Sequence, residues 1–457
     1  MRSKSLLYIL IFCFCTFNSE TEVMESTTTV ESTTTTSLVQ DMPSTNKNPS
    51  FELPYQHQFI ELENCNNFMG SNLRVSCVQG SEIISTEVFD GSITNIEFYN
   101  DYLFVVLKDG RIIKYNQATK EKILLLDIKS NVLRDGLENG LLSFALNFDN
   151  SEFLISYVNR DNILTFELYV FENEINNIIS TKKLLEIQAT KNSHYGGKVL
   201  WSERFSCYFV SIGDMNEANF DSRIDSVAID TSKYEGKIVG LNCDSLNLET
   251  PNYSKDGGKP LNNLIAGGLR NPWQFFEYKD YLVVFDTGFT QNEELNITKL
   301  ENRVLNFGWP VFEGTKRSED LDSIENYNLD IYSWIDGEQN NILDEIYFNS
   351  IKPAFYYNHH ACFSPENLNC DTNSDVYRAA IIGGDIITDP NSIYNLDIFF
   401  ADHLSQEIFS FDLINGDLKI FQIDDLLYVN ILKVDKRNTN QLLVGTETGN
   451  LYTVRLP

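Results

Sequence analysis

The feature that most constrains this chain is a short β-hairpin pattern that keeps returning. Apolar, β-branched and aromatic runs interrupted by polar turns occur at 102–116 (YLFVVLKDGRIIKYN), 153–171 (FLISYVNRDNILTFELYVF), 208–214 (YFVSIGD), 281–288 (YLVVFDTG), 398–413 (IFFADHLSQEIFSFDL) and 442–456 (LLVGTETGNLYTVRL). Runs of this composition, bounded by Gly, Asp and Asn, specify half-buried strands. There are six, most of them recurring at roughly 45–75 residues, and no helix-period segment competes with them. Multi-strand units at this period point to an all-β chain built from propeller blades. A pair of β-sandwiches is the competing arrangement. The widest gap, across 289–397, holds an acidic, loop-like insertion.

The remaining organisation is set by the N-terminus. Arg2 and Lys4 precede an apolar run, Leu6–Phe17, which is the pattern of a signal peptide over 1–20 and is too short for a spanning helix. An uncleaved signal anchor is the alternative. Residues 21–55 form a Thr/Ser-rich linker that cannot bury enough apolar area to offset its ordering entropy. A Cys-containing extension, 56–80, leads into the propeller, 81–457. Beyond the leader no run reaches the roughly 20 apolar residues of a membrane span. A soluble secreted protein is therefore expected.

Composition then removes whole classes of partner. Hydrophobic residues make up 42% of the 457 and support a large packed core. A formal net charge of −30 argues against nucleic acid and against anionic membrane surfaces, which both select basic proteins. Six cysteines follow the leader, an even count that suits disulfides in an oxidising compartment. Short loops favour Cys65–Cys77 and Cys362–Cys370, leaving Cys207–Cys243. Asn252 (NYS) and Asn296 (NIT) open glycosylation sequons.

Four segments carry residues capable of chemistry. In 136–146 (GLENGLLSFAL), Glu138 precedes an Asn-Gly turn and an apolar strand. In 192–201 (NSHYGGKVLW), His194 precedes two glycines that permit close backbone or ligand approach, and histidine can accept a proton near neutral pH. In 267–273 (GGLRNPW), Pro272 holds Asn271 extended beside Arg270, a rigid and permanently charged donor. In 285–315, Asp286, Glu293 and Glu294 with the carbonyls near Gly288 are oxygen donors of the kind calcium takes, although their spacing is not that of an EF-hand. Each segment has a purely structural alternative: a hairpin turn, a loop histidine, an internal ion pair, a solvated acidic loop. Trp273, Trp309, Tyr356 and Tyr357 could serve as rim aromatics for sugar or as packing, and His359 and His360 lie in a loop of unassigned role.

In this order, ENGLLSFAL, HYGGKVLW with SIGD, GLRNPW, GWPVFEGT, IIGG and FFADH resemble the glucose/sorbosone dehydrogenase family of soluble quinoprotein sugar dehydrogenases. The likeness runs from about residue 80 to the C-terminus and is most specific at GLRNPW followed by FGWPVFEGT. The resemblance implies a six-bladed β-propeller with its site at one mouth of the central channel, pyrroloquinoline quinone, and Ca²⁺. It implies His194 as the base for the sugar C1 hydroxyl and Glu138 in the sugar pocket, where some relatives carry Gln. Arg270 and Asn271 would contact the cofactor, and the carbonyls of Gly288 and Phe289 would hold the metal, with Glu293 nearby. Three departures stand out. The stretch FFADHLSQEIFSF has no Lys or Arg to face the quinone carboxylates. Lys433, Lys436 and Arg437 are expected in a turn after the strand. Ser193 stands where some members carry Asp, so an acidic partner for the imidazole is expected to be missing. The chain also resembles hedgehog-interacting-protein-like propellers, which leaves an inactive extracellular binder of proteins or carbohydrates as the second reading.

Overall fold

The computed structural model describes residues 75–457 except 137, 148–150, 172–177, 216–226, 245, 254–256, 290–291, 315, 318–349, 359–377, 406, 422 and 427. The leader, linker and Cys65, together with His359, His360, Cys362 and Cys370, lie outside the described residues.

Every described element is a strand or a turn, and six antiparallel sheets form the six blades of a β-propeller. Blade 1 runs from its innermost strand outward as Ile93–Tyr99, Tyr102–Leu107, Arg111–Asn116 and Lys122–Asp127. Blade 2 is Leu141–Asn147, Glu152–Val158, Ile163–Phe171 and Ile178–Gln188. Blade 3 is Gly196–Ser202, Cys207–Ile212, Lys237–Leu241 and Leu264–Gly267, with Leu305–Asn306 added in parallel at its edge. Blade 4 is Pro272–Tyr278, Tyr281–Asp286, Asn292–Lys299 and Phe355–Asn358. Blade 5 is Ile381–Ile386, Asp397–Asp402, Ile408–Asp412 and Leu418–Phe421, and Val75–Val78 pairs in parallel on its outer edge. Blade 6 is Val429–Val434, Gln441–Thr446 and Asn450–Arg455. Its fourth strand is Glu82–Val88, so the start of the propeller chain pairs with its end and closes the ring.

The six hairpins legible in the sequence fall one to a blade, in its second strand or its second and third strands. These are the strands buried on both faces. Phe104, Val105 and Val106, for example, are fully inaccessible, and so are Phe153, Leu154 and Ile155. Each innermost strand packs on the next around the axis, and that of blade 6 packs on that of blade 1. Six apolar clusters fill the seams between blades.

All six innermost strands share one irregularity: a register shift near their start, at Ile93/Asn95, Leu141/Ser143, Gly196/Val199, Pro272/Gln274, Ile382/Asp385 and Val429/Ile431. A bulge frees backbone groups from the ladder and re-aims side chains. The neighbouring blade takes up several of the freed groups. Thr94 Oγ1 donates to Leu141 O at 2.7 Å, and Val199 N donates to Ser143 Oγ at 3.1 Å. Asn430 Nδ2 donates to Ser92 Oγ at 3.1 Å across the closing seam.

Cys207 and Cys243 form the expected disulfide within blade 3, and Cys77 is also disulfide-bonded. Among the described residues, no helix is long and apolar enough to cross a membrane.

Candidate active site

The site is built where blades 3 and 4 begin. In blade 3 the first two strands pair with Gly196 opposite Ile212. Continuing that register two residues outward sets His194 opposite Asp214. The two side chains meet, with His194 Nδ1 2.7 Å from Asp214 Oδ1. An acidic partner for the imidazole is therefore present. It comes from the end of the adjacent strand, not from position 193, which corrects the sequence-based expectation.

His194 has φ 56°, a left-handed conformation that costs energy for a side chain with a Cβ. The surroundings impose it. His194 N donates to Glu138 Oε2 at 2.6 Å, and Met215 N donates to His194 O at 3.2 Å. The backbones of 194 and 213 come so close that a Cβ at Gly213 would collide with the His194 carbonyl, so SIGD needs its glycine there.

In blade 4 the same construction positions the Arg-Asn pair. Pro272 pairs with Asp286, and the buried Asp286 carboxylate caps the start of the strand. It accepts Arg270 N at 2.9 Å through Oδ2 and Asn271 N at 2.7 Å through Oδ1. Burial pushes this carboxyl up to about 7, against the lowering effect of the two amides. Asn271 then bridges blades: Oδ1 accepts Gly196 N at 3.0 Å and Nδ2 donates to Glu138 Oε2 at 3.3 Å. Arg270 Nη1 donates to Thr287 O at 3.0 Å, and Nη2 lies 3.0 Å from His194 Nε2.

These contacts settle the imidazole's hydrogen bonding. An arginine only donates, so Nε2 accepts; the proton is then on Nδ1, donated to Asp214. In this tautomer the Nε2 lone pair is turned toward Arg270. Asp214 is fixed further by Trp309, whose Nε1 donates to Oδ2 at 3.0 Å. The Arg270 guanidinium lies 5.3 Å from the Phe289 ring centre and 5.8 Å from that of Trp309. Its Nε is buried without a hydrogen-bond partner. The site thus presents a base, its acid, and a cation flanked by two aromatic rings.

The acidic groups read as oxygen ligands do not converge on one point. Glu293 Oε2 accepts Gly288 N at 3.3 Å and Ile381 N at 2.9 Å, tying blade 4 to blade 5. Asp286 caps the strand as described, and Glu294 accepts Asn296 Nδ2 at 3.0 Å. Among the described residues no three His, Cys, Asp or Glu side chains are grouped to hold a metal. Of these carboxylates, Glu293 braces the loop that carries the carbonyls of Gly288 and Phe289. Glu313 pins the same loop, accepting Phe289 N at 2.7 Å and Asn292 N at 3.0 Å. Gly288 is required there, because a Cβ would strike the Asn292 carbonyl.

Lys436 and Arg437 lie in the turn after the first strand of blade 6, as expected, but Lys433 does not. It lies inside the innermost strand of blade 6, 3.6 Å from Glu97, which also binds Lys198 at 3.1 Å. Burial disfavours the Glu97 carboxylate, but Lys433 and Lys198 outweigh it, so its pKa is lowered. Arg378, almost fully buried, makes a two-pronged pair with Glu407 at 2.6 and 2.8 Å. Lys108 is near enough to Glu447 and Glu138 to feel both charges. Tyr356 and Tyr357 are buried, so these two candidate rim aromatics are packing residues, while the equally buried Trp309 anchors Asp214. Asp214 is the functional neighbour that sequence reasoning missed, and Trp309, singled out there only as a rim aromatic, instead donates to it. Both lie in quoted motifs, SIGD and FGWP, and only the strand register and the loop crossing from blade 4 give them roles.

No protein-family profile matches this chain, and no curated protein does. Solved structures do. An oxidoreductase assigned as a glucose dehydrogenase from Thermus thermophilus is 15% identical with a TM-score of 0.54, over 82% of this chain and 99% of that one. Two further structures, each a glucose dehydrogenase, are 14% and 13% identical with TM-scores of 0.55 and 0.56, over 82% and 83% of this chain and 99% of theirs. The chain is a six-bladed β-propeller whose fold is that of glucose-dehydrogenase-like propellers. At these identities the likeness is one of fold.

Proposed function

We propose that this protein is a secreted sugar dehydrogenase, in which His194 removes the proton from a sugar C1 hydroxyl as hydride leaves C1. The observation that carries this reading is the 2.7 Å His194–Asp214 pair with Arg270 at the opposite ring nitrogen. A base needs a lone pair directed at the substrate and a fixed tautomer, and Asp214 supplies the second. A substrate hydroxyl entering the mouth takes the place of Arg270 at Nε2, freeing the guanidinium to face developing negative charge. Asp214 then stabilises the imidazolium that forms. Glu138, held by His194 N and Asn271, borders the same space and is suited to accept a sugar hydroxyl.

The residues fit a planar anionic quinone, pyrroloquinoline quinone by the family resemblance, on one count. Arg270 has an unpartnered buried Nε and its guanidinium lies beside two aromatic rings. Such a group would supply the hydride acceptor. Arg270 and Asn271 would contact it, and the carbonyls of Gly288 and Phe289 are hard oxygen donors suited to Ca²⁺. Secretion is supported by the Cys207–Cys243 disulfide.

Calorimetric titration with pyrroloquinoline quinone in millimolar Ca²⁺, followed by a dye-linked aldose assay, tests the reading. Calcium-dependent binding, with sugar-driven dye reduction lost in His194→Ala, is expected. Absence of binding at high micromolar quinone would overturn it. One observation favours the second reading, an inactive extracellular binder. Arg378, Lys198 and Lys433 are already paired with Glu407 and Glu97, and sequestering a multiply charged anion without spare cations is costly.

A further inference from the structure

The two sequons sit in opposite environments. Asn296 (Asn-Ile-Thr) is in the middle of the third strand of blade 4, opposite Val284, and is fully inaccessible. Its Nδ2 donates to Glu294 Oε2 at 3.0 Å. Asn252 (Asn-Tyr-Ser) lies outside any strand, in the connection between the third and fourth strands of blade 3, and is exposed. The backbone around it is anchored. Tyr253 N donates to Thr231 Oγ1 at 3.1 Å, Val304 N to Glu249 O at 2.9 Å, and Thr250, Pro251 and Tyr253 line a cavity of about 360 Å³.

We infer that Asn252 carries an N-linked glycan in the mature protein and that Asn296 does not. The inference rests on passage through the secretory pathway, as proposed above, but not on catalysis. In the modification, Asn252 Nδ2 bonds to the anomeric carbon of a lipid-diphosphate-linked oligosaccharide. The bond from that carbon to the diphosphate oxygen breaks, the lipid diphosphate leaves with the electron pair, and the amide gives up one proton. Asn252, exposed and outside the sheet, leaves space for the product. At Asn296 the same product would put a hydrophilic oligosaccharide inside a sheet with no space for it. A chain modified there could not close blade 4, so the folded, secreted population lacks it.

The test is expression of the full chain in a eukaryotic secretory host, with peptide N-glycosidase treatment and peptide mass mapping of the secreted protein. Loss of one glycan on digestion, the same loss in Asn252→Gln and in Ser254→Ala, and no change in Thr298→Ala are expected. Thr298→Ala destroys the second sequon without altering the buried Asn296, so misfolding does not confuse that arm. An unmodified Asn252, or a glycan mapped to Asn296 in folded protein, overturns the inference. A glycan at Asn252 in protein that binds no quinone would leave it standing while removing the dehydrogenase reading.

Discussion

At the residue scale, His194 is made competent by neighbours that are distant in sequence. Asp214 acts on the imidazole and touches no substrate, so it is a positioning residue. Asp214→Asn is expected to lower sugar-dependent dye reduction and to move the acid limb of the pH–rate profile, with Asp214→Glu recovering part of the loss. His194→Ala should cost about 10²–10⁴-fold, the usual contribution of a general base. An Asp214→Asn variant with unchanged rate and profile would remove the dyad from the mechanism. Arg270→Ala separates the two readings of the site. Lost quinone binding with the melting temperature preserved marks it as a cofactor contact. Retained binding with lost stability marks it as a brace for Thr287.

At the scale of the element, several of the bulges near the start of the innermost strands are tied down by side chains of the adjacent blade. Ser143 is the clearest case. It is buried, and its Oγ accepts Val199 N at 3.1 Å and Asn95 Nδ2 at 3.0 Å, joining blades 1, 2 and 3. Ser143→Ala leaves the Val199 amide buried without an acceptor, at a cost of about 1–3 kcal/mol. Urea unfolding should show a lower midpoint with an unchanged slope. The closing strand Glu82–Val88 is stabilised differently. Its side chains are mostly exposed, so it is held by its ladder to Asn450–Arg455 more than by core burial. Thr86→Pro removes a backbone donor from that strand. Hydrogen exchange should then accelerate first in Asn450–Arg455 while blades 2 to 4 keep their protection.

At the scale of the molecule, the fold buries carboxyl groups that resist ionisation. Burial pushes Asp286, Asp402 and Glu277 up to about 7 and Glu294 up to about 8. Each binds its proton more tightly folded than unfolded. The stability they contribute is fully present below the ordinary carboxylate value of about 4 and is lost as pH rises through the folded values. The buried lysines Lys198 and Lys237 are lowered by burial to about 8 and about 7, and their contribution returns only as pH rises beyond those values. Thermal unfolding should therefore show a higher midpoint near pH 5 than near pH 8, with a shallower dependence in Glu294→Gln. A midpoint that rises steadily from pH 5 to pH 8 would refute this assignment of protons.

How much of this was legible beforehand differs by kind of information. Strand identity is local. Alternating apolar residues and Gly or Asp turns within about 15 residues identified one hairpin for every blade. The motifs around His194, Glu138, Arg270 and Asn271 were equally visible, and the structure brings all four together. The partner of His194 was not, because Asp214 is 20 positions away and meets it only through the register of blade 3. The positions of Lys433 and Glu97 were also not legible, since a contact between blade 6 and blade 1 exists only once the ring closes. Nor could the sequons be ranked, because Asn252 and Asn296 differ in burial and not in motif. The sequence by itself determined which segments are strands and which residues have reactive side chains, since both follow from local composition. Which carboxylate orients the base, which cations are already paired and which asparagine is accessible were decided by tertiary structure, because they depend on distances between residues that the chain alone leaves far apart.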